Sequence, residues 1–254
     1  MATVHPNGLL ASLCPADLDA LRPHLKTVEL VQGAIIMELG DIIDRVYFPH
    51  NGIVSLIVPL VGGEMIETGL IGCDSIVGGS SALDGKVALN RAIVQIKGAA
   101  SIVNLEHFRR LADQSVSFRT TLMRHEQMIL IQAQQSAACN ISHTVEERLA
   151  RWLLHCRDLI GSNSLGLTQE TIAYLLGVQR TSVSLVAGTL QRAGLINYRH
   201  GHILIKNVQG LRETSCECYE TVSMQSDRLL HRRWADARGC HAHGPASSGP
   251  IHAG

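Results

Sequence analysis

A short polar cluster, Gln179-Arg180-Thr181-Ser182, stands where one amphipathic helical pattern ends and another begins. Arginine can bond bidentately to O6 and N7 of guanine, and the hydroxyls of serine and threonine can bond to several bases. The free N–H groups at a helix start also suit a phosphate. Because short side chains let a helix approach base edges closely, the cluster predicts a helix that enters the major groove of duplex DNA.

The rest of this second helix is two-sided. Its apolar positions follow the helical period and predict a buried stripe of Val183, Val186, Ala187 and Leu190. The opposite side shows Arg180, Thr181, Ser184, Leu185 and Gly188. Leucine can contact the methyl group of thymine. Glycine costs roughly 1 kcal/mol of helix propensity against alanine, which a purely structural surface helix has little reason to accept.

Flanking signals complete a predicted winged helix-turn-helix. Thr168 can cap the first helix through its side-chain oxygen, and Gly177 allows the sharp turn with positive φ. Two short strands around His200-Gly201 follow the second helix as a wing with several polar and basic residues. An ordinary helical hairpin with a polar outer face stays an alternative. The predicted DNA-contacting residues are Thr168, Gln179, Arg180, Thr181, Ser182, Ser184, Leu185, Arg199, His200 and His202.

The composition excludes several classes of protein. The 254 residues are 46% hydrophobic, which is enough for a core and argues against wholesale disorder. No apolar run reaches the roughly 18 residues of a membrane-spanning helix, and the first residues lack the pattern of a signal peptide, so we expect a cytoplasmic protein without membrane contact. No motif of a serine hydrolase, nucleotide-binding phosphate loop or zinc protease is present, so we expect neither an enzyme nor a cofactor.

The net charge of zero hides an asymmetry along the chain. Residues 1–140 hold ten Lys/Arg and thirteen Asp/Glu, whereas residues 141–212 hold eight Lys/Arg and four Asp/Glu. A local basic bias is what a domain that binds a polyanion needs, although the bias is modest.

The order of patterns predicts an α+β protein. A short helix within residues 8–26 precedes short β-rich runs from Val28 to about Val103, separated by turn signals such as Gly62-Gly63. We predict an antiparallel, jelly-roll-like β-barrel with flanking helices at 1–114, a long dimerisation helix at 115–140, the winged helix-turn-helix at 141–218, and a mostly disordered tail at 219–254.

The long helix carries a heptad seam. Phe118, Leu122, Ile129 and Cys139 fall on it, and His125, Gln132 and Ser136 interrupt it. Such a seam suits a homodimer, but the same residues can pack on the barrel of their own chain.

The seven cysteines are odd in number and irregularly spaced, which argues against a secreted disulfide framework. Cys216-Glu217-Cys218 supplies only two thiols, and no histidine motif stands at metal spacing nearby, so we predict no metal site. Buried packing is expected for Cys73 and Cys139. The segment Cys-His-Ala-His at 240–243 and His252 belong to the tail.

Taken together, these parts resemble the Crp/Fnr family of bacterial transcription regulators. The resemblance covers about residues 8–212 and is most specific at the stretch LTQETIAYLLGVQRTSVSLVAGTLQ. It implies a sensor barrel that resembles a cyclic-nucleotide-binding domain, a homodimer on a palindromic site, contact with RNA polymerase in an activator, and control by an unidentified small-molecule effector. Arg180 matches the family's base-reading arginine, while Thr181 and Leu185 replace a Glu and a second Arg that other members carry.

The implied effector pocket departs from the cyclic-nucleotide pattern. The family's Gly-Glu pair falls on Gly78-Gly79, so the glutamate is missing, and its Arg-Ser pair falls on Asn90-Arg91, one residue out of step. Gln134 on the long helix stands where adenine would be met by hydroxyls. Cyclic-AMP binding is therefore disfavoured, and an iron–sulfur cluster lacks the N-terminal cysteines it would need. The alternatives are a metal- or thiol-responsive regulator, or a ligand sensor whose helical domain contacts protein.

Overall fold

The computed structural model describes residues 5–84 and 86–230. They form an N-terminal unit (residues 5–114), a long helix, and a C-terminal unit (residues 145–230) that joins helices to a small sheet. This α+β arrangement confirms the predicted order of parts. In these ranges, no helix combines the length and the hydropathy that crossing a bilayer requires.

The described part of the chain begins with two short helices where the sequence predicted one. The first, α1 (Gly8–Ser12), is capped by Asn7, whose side chain accepts a hydrogen bond from the Leu10 N–H. The second, α2 (Pro15–Leu21), begins at a proline and runs into a single 3₁₀ turn. The break falls before Pro15, because proline has no N–H to continue α1.

The N-terminal unit is antiparallel throughout. Its strands are β1 (Lys26–Leu30), β2 (Ile35–Met37), β3 (Arg45–Pro49), β4 (Ile53–Pro59), β5 (Met65–Ile71), β6 (Arg91–Ile96) and β7 (Gly98–Asn104). They form two sheets, in the orders β1-β7-β3 and β2-β6-β4-β5. The jelly-roll-like prediction is confirmed, but among the described residues the barrel is not closed. Apolar residues between the sheets make its core, among them Leu30, Val54, Ile71, Val94 and Ala100.

The predicted glycine turn forms the hairpin of β4 and β5. The Leu60 N–H donates to the Glu64 carbonyl at 2.8 Å, and the Gly63 N–H donates to the Leu60 carbonyl at 3.0 Å. Gly63 has a φ of +93°, which L-residues rarely adopt.

Two helices follow the sheets, α3 (Leu105–Gln114) and α4 (Val116–Ser142). At about 1.5 Å per residue, α4 is about 40 Å long. The predicted seam of α4 does not face outward: Phe118, Leu122, His125, Gln132 and Cys139 are buried against the rest of the same chain.

A different stripe of α4 faces the solvent instead. It consists of Val116, Met123, Leu130 and Ile141, with side chains 52–90% exposed. The spacings of seven and eleven residues place all four on one side of the helix. We call these four residues the outer stripe.

The C-terminal unit begins with α5 (Val145–Ile160), which Thr144 and Glu147 start with a reciprocal capping box. The remaining elements are β8 (Ser164–Gly166), α6 (Gln169–Leu176), α7 (Arg180–Arg192), β9 (Ile196–Arg199), β10 (His202–Ile205), α8 (Val208–Thr214) and α9 (Cys218–Leu230).

The last helix corrects the predicted disordered tail. Residues 219–254 were expected to be mostly disordered, whereas residues 219–230 belong to α9, which packs on α4 and α5. Cys218, Tyr219 and Val222 are at most 8% exposed, so burial of these side chains orders the helix. Residues 231–254, with the Cys-His-Ala-His segment and His252, lie outside the described part of the chain.

The two units share one hydrophobic core. Ile53, Ile57 and Leu70 of the N-terminal unit pack in the same cluster as Trp152 and Leu153 of α5. Within this contact, Glu67 of β5 accepts hydrogen bonds from Trp152 Nε1 at 2.8 Å and from Ser55 Oγ at 2.5 Å.

Burial at this contact raises the pKa of Glu67 to about 7, against the opposing effect of the bonds from Ser55 and Trp152. The folded protein thus holds the proton more tightly than the unfolded chain does. The resulting stabilisation is complete below the ordinary pKa of 4.5 and is lost as the pH rises to about 7.

We therefore expect Glu67→Gln to flatten this part of the pH profile. Relative to the variant, the wild type should lose up to roughly 3 kcal/mol of unfolding free energy between pH 4.5 and pH 7. Urea unfolding at several pH values measures the difference in unfolding free energy between wild type and variant. Titration of nearby groups such as His155 contributes to both proteins and largely cancels in this difference. Glu64→Gln, on the exposed turn of the same hairpin, is the control, and a pH-independent difference would contradict the assignment.

Candidate nucleic-acid interface

The turn between α6 and α7 has the geometry that the sequence predicts. Gly177 ends α6 with a φ of +62°, and the Val178 N–H donates to the Ala173 carbonyl at 3.0 Å. Gln179 is the N-cap of α7 in extended conformation. Its side chain is exposed at the helix start, directly before Arg180.

The two sides of α7 are placed as their residue types suggest. Val183, Ala187 and Leu190 are at most 4% exposed and fix the helix on the shared core. On the other side, Arg180, Thr181 and Ser184 are exposed, and Leu185 is 70% exposed. Ser182 is half-buried at the edge of this surface. Polar groups and one apolar group thus share a surface along the first turns.

Gln169 also lies at this surface and was not among the residues predicted from the sequence. Ser184 Oγ donates to Gln169 Oε1 at 2.6 Å and to the Arg180 carbonyl at 3.1 Å. The Ser184 hydroxyl is thus engaged within the protein, and Gln169 is held beside α7 with its amide nitrogen as a donor. Gln169 follows directly after Thr168, whose hydroxyl caps α6 by accepting from the Thr171 N–H at 3.1 Å.

The wing is a tight hairpin of β9 and β10. His202 pairs with Arg199, and the two-residue turn between them is His200-Gly201. Both turn residues have positive φ, +50° and +75°, as a type I′ turn requires. Arg199, His200 and His202 are exposed. Tyr198 anchors the wing, because its hydroxyl donates to the Leu167 carbonyl at 3.2 Å.

The basic bias of this region is only partly a surface property. Four of the eight cations, Arg148, Arg151, Arg157 and Arg212, are buried or half-buried on α5 and α8. The exposed ones are Arg180, Arg192, Arg199 and Lys206, on α7 and around the wing. Within the described residues, Arg180 has no carboxylate within 4.0 Å, so its charge is available to a ligand.

The residues predicted for an effector pocket lie at a 3₁₀ turn, at the start of β6 and on α4. Gly78 has a φ of +85°, and Gly79 begins a 3₁₀ turn against α4. Arg91 Nε donates to Glu38 Oε1 at 2.8 Å. Asn90 is half-buried beside it, and Gln134 is exposed on α4.

A neighbouring residue of α4 reaches the sheet instead of Gln134. Gln132 is 6% exposed, and its Oε1 accepts from the Leu70 N–H at 3.0 Å. A side chain two positions earlier thus makes the polar contact from α4 to β5.

The thiols of Cys216 and Cys218 lie beside two further side chains that can bind a metal, which the sequence did not predict. Cys139 and His143 of the α4 end meet them, and the four potential ligand atoms all lie within 4.8 Å of one another. Burial raises the pKa of Cys139 and brings that of Cys216 to about 12, so neither is a ready nucleophile. The helical spacing of Cys139 and His143 was the signal in the sequence, but nothing in it shows that α9 returns to α4.

Comparison with known proteins gives one match to a family model and many to solved structures. Residues 147–214 match the Crp-like helix-turn-helix domain, which spans α6, α7 and the wing. No curated protein matches the chain.

The similar solved structures share the fold at low sequence identity. FixK2 from Bradyrhizobium japonicum is 19% identical with a TM-score of 0.66, over 76% of this chain and 98% of its own. TTHA1359, a transcriptional regulator of the CRP/FNR family from Thermus thermophilus, is 22% identical with a TM-score of 0.62, over 75% and 98%. CLP from Xanthomonas campestris, a global regulator responsive to c-di-GMP, is 16% identical with a TM-score of 0.60, over 76% and 99%.

Gly188 on α7 is not held to glycine by packing against the described residues. A Cβ built there meets only the Arg192 guanidinium, at an ordinary contact distance of 3.5 Å. We expect Gly188→Ala to raise the free energy of unfolding by roughly 0.5–1 kcal/mol, because alanine is the better helix former. If this side of α7 approaches a ligand closely, binding of duplex DNA should weaken in the same variant.

Urea unfolding and titration with labelled duplex DNA measure the two effects. Gly177→Ala is the matched control, because alanine is strained at positive φ and should lower stability instead. A loss of stability in Gly188→Ala would show that the glycine is structural.

Proposed function

We propose that the protein is a sequence-specific transcription regulator, because residues 147–214 match the Crp-like helix-turn-helix domain and the chain shares the fold of solved Crp/Fnr regulators. It binds a palindromic DNA site as a homodimer in the cytoplasm. In an activator, the bound dimer also contacts RNA polymerase. The observation that carries the proposal is the exposed Arg180 at the start of α7, whose charge the described residues leave available.

Each part of the surface has a role in this proposal. Arg180 and the amide of Gln179 read base edges, Thr181 and Ser182 add hydroxyl contacts, and Leu185 meets a thymine methyl. Ser184 acts through Gln169, which it positions. The wing residues and Thr168 lie along the phosphates, where they set the register without reading sequence.

The outer stripe of α4 supports the homodimer. Four large apolar side chains on one side of a long helix are costly to leave in water, and a second copy of the same helix would bury them. The polar residues Thr120, Gln127 and Gln134 are exposed on the same helix and would border this contact. Gln134 thus fits the dimer interface better than a pocket of its own chain.

The effector of the N-terminal unit is of a class other than cyclic AMP. A Cβ at Gly79 would lie 2.9 Å from Glu126 Oε1, so a carboxylate of α4 lies beside the position of the family's Gly-Glu pair. Arg91 is paired with Glu38 instead of being free for a phosphate. Both contacts disfavour an anionic ligand at this position.

The two alternatives have less support. A helical domain that contacts protein has no need of an exposed arginine beside short hydroxyl residues on the first turn of α7. A thiol-responsive regulator needs exposed cysteines of low pKa, whereas Cys139, Cys216 and Cys218 are at most 4% exposed.

Arg180→Ala tests the base-reading role. We expect the variant to lose roughly 1–3 kcal/mol of discrimination at one base pair of each half-site, because the bidentate contact to guanine is gone. Selection from random duplex DNA with the ligand-free wild type identifies the preferred site. Titration of both proteins with single-base variants of that site then measures their discrimination between bases.

Arg192→Ala is the matched control, since it removes the same charge from the other end of α7. It should leave the preferred sequence unchanged. If Arg180→Ala weakened binding to all sequences equally, Arg180 would be a phosphate contact and not a reader of bases.

Leu130→Asp tests the outer stripe. A charge in the middle of a self-associating apolar surface should dissociate the dimer, because two carboxylates would face each other without water. Sedimentation velocity measures the oligomeric state, and the variant should bind half-sites without cooperativity. Asn140→Asp places the same charge on α4 away from the stripe and should remain dimeric. A dimeric Leu130→Asp would place the interface elsewhere.

A further inference from the structure

Four metal-ligating side chains from distant parts of the chain meet at the end of α4. Cys139 and His143 are four residues apart on or just after the last turn of this helix, so their side chains share one face. Cys216 lies in the short connection between α8 and α9, and Cys218 is the first residue of α9. Because α9 packs directly on α4, the two thiols after α8 come to lie beside Cys139 and the His143 ring.

The distances between these ligand atoms fit a tetrahedral site. Cys139 Sγ and Cys216 Sγ are 3.6 Å apart, and Cys218 Sγ is 3.6 Å from His143 Nδ1. Four ligands at the zinc–sulfur and zinc–nitrogen bond lengths stand about 3.5–3.8 Å from one another at the corners of a tetrahedron. Since the widest separation here is at most 4.8 Å, only a small contraction is needed to close the site.

The surroundings of the cluster orient its ligands. His143 Nε2 lies 3.1 Å from Glu217 Oε2, so Glu217 stands beside one ring nitrogen while the other, Nδ1, lies 3.6 Å from Cys218 Sγ. This carboxylate–histidine pairing is the usual outer partner of a metal-bound imidazole. Gln135 Nε2 donates to Cys218 Sγ at 3.0 Å, which suits a thiolate better than a thiol.

The charge of such a centre would also be balanced. A divalent ion with three thiolates and one neutral imidazole carries one net negative charge. Arg148, only 6% exposed, interacts electrostatically with both Cys139 and Cys216, and Arg151 does so with Cys139. These two cations, one buried and one half-buried, would stabilise a negative metal centre beside them.

We propose that Cys139, His143, Cys216 and Cys218 bind one zinc ion as a structural centre. Four protein ligands leave no open position for water or substrate, which is typical of structural zinc and not of catalytic zinc. The ion joins the end of α4 to the start of α9. This centre goes beyond the proposed regulator function and does not depend on it.

Metal content and cobalt spectroscopy test the proposal on the full-length protein. Protein purified without chelator should contain one zinc ion per chain by elemental analysis. Replacement by Co²⁺ should give the intense visible bands of tetrahedral cobalt and a thiolate-to-cobalt charge-transfer band. Cys216→Ser should lose the metal, whereas Cys73→Ser, which removes a buried thiol elsewhere, should keep it.

Glu217→Gln is a second variant that leaves all four ligands in place. Glu217 is 76% exposed at its side chain, so the change should not disturb folding. We expect zinc affinity to fall about 10- to 100-fold in a competition with a chromophoric chelator, because the outer partner of His143 is lost. Unchanged affinity would overturn the assigned role of Glu217.

Hydrogen exchange separates a structural centre from an adventitious one. Removal of zinc should speed amide exchange in α9 and at the end of α4 and leave β4 and β5 unchanged. Absence of metal in the wild type, or a Cys139–Cys216 disulfide found by thiol counting in its place, would overturn the proposal.

Discussion

The packing of α5 against β4 and β5 is the contact on which the rest of the structure depends. Trp152 and Leu153 share a core with Ile57 and Leu70, and the Trp152 Nε1–H donates a hydrogen bond to Glu67 of the N-terminal unit. Because α6 and α7 are built on α5, this contact fixes where the exposed side of α7 lies relative to the long helix. The carboxylate of Glu67 also makes the geometry of this apolar contact specific, because a buried polar group must keep its hydrogen bonds.

The local parts of the candidate interface were predictable because their signals are local. A glycine with positive φ, a capping threonine and a hairpin turn each depend on a few neighbouring residues, so Gly177, Thr168 and His200-Gly201 are where the sequence placed them. The periodicity of α7 likewise separates Val183 from Leu185 without knowledge of the rest of the fold.

The remaining features depend on contacts between distant segments. The long helix carries two apolar stripes, and only the position of the N-terminal unit decides that Leu122 is buried and Leu130 exposed. The composition of the predicted tail suggested disorder because it is dominated by the residues after 230. The earlier residues of that tail form α9, which is ordered by packing on α4. The meeting of Cys139 with Cys216 follows from that packing and has no signal in either segment alone.

The course of α9 has a mechanical consequence. The C-terminal unit follows directly after the end of α4, and its last helix, α9, packs back on α4. Movement of α7 relative to α4 would therefore have to bend the chain after His143 and also separate α9 from α4.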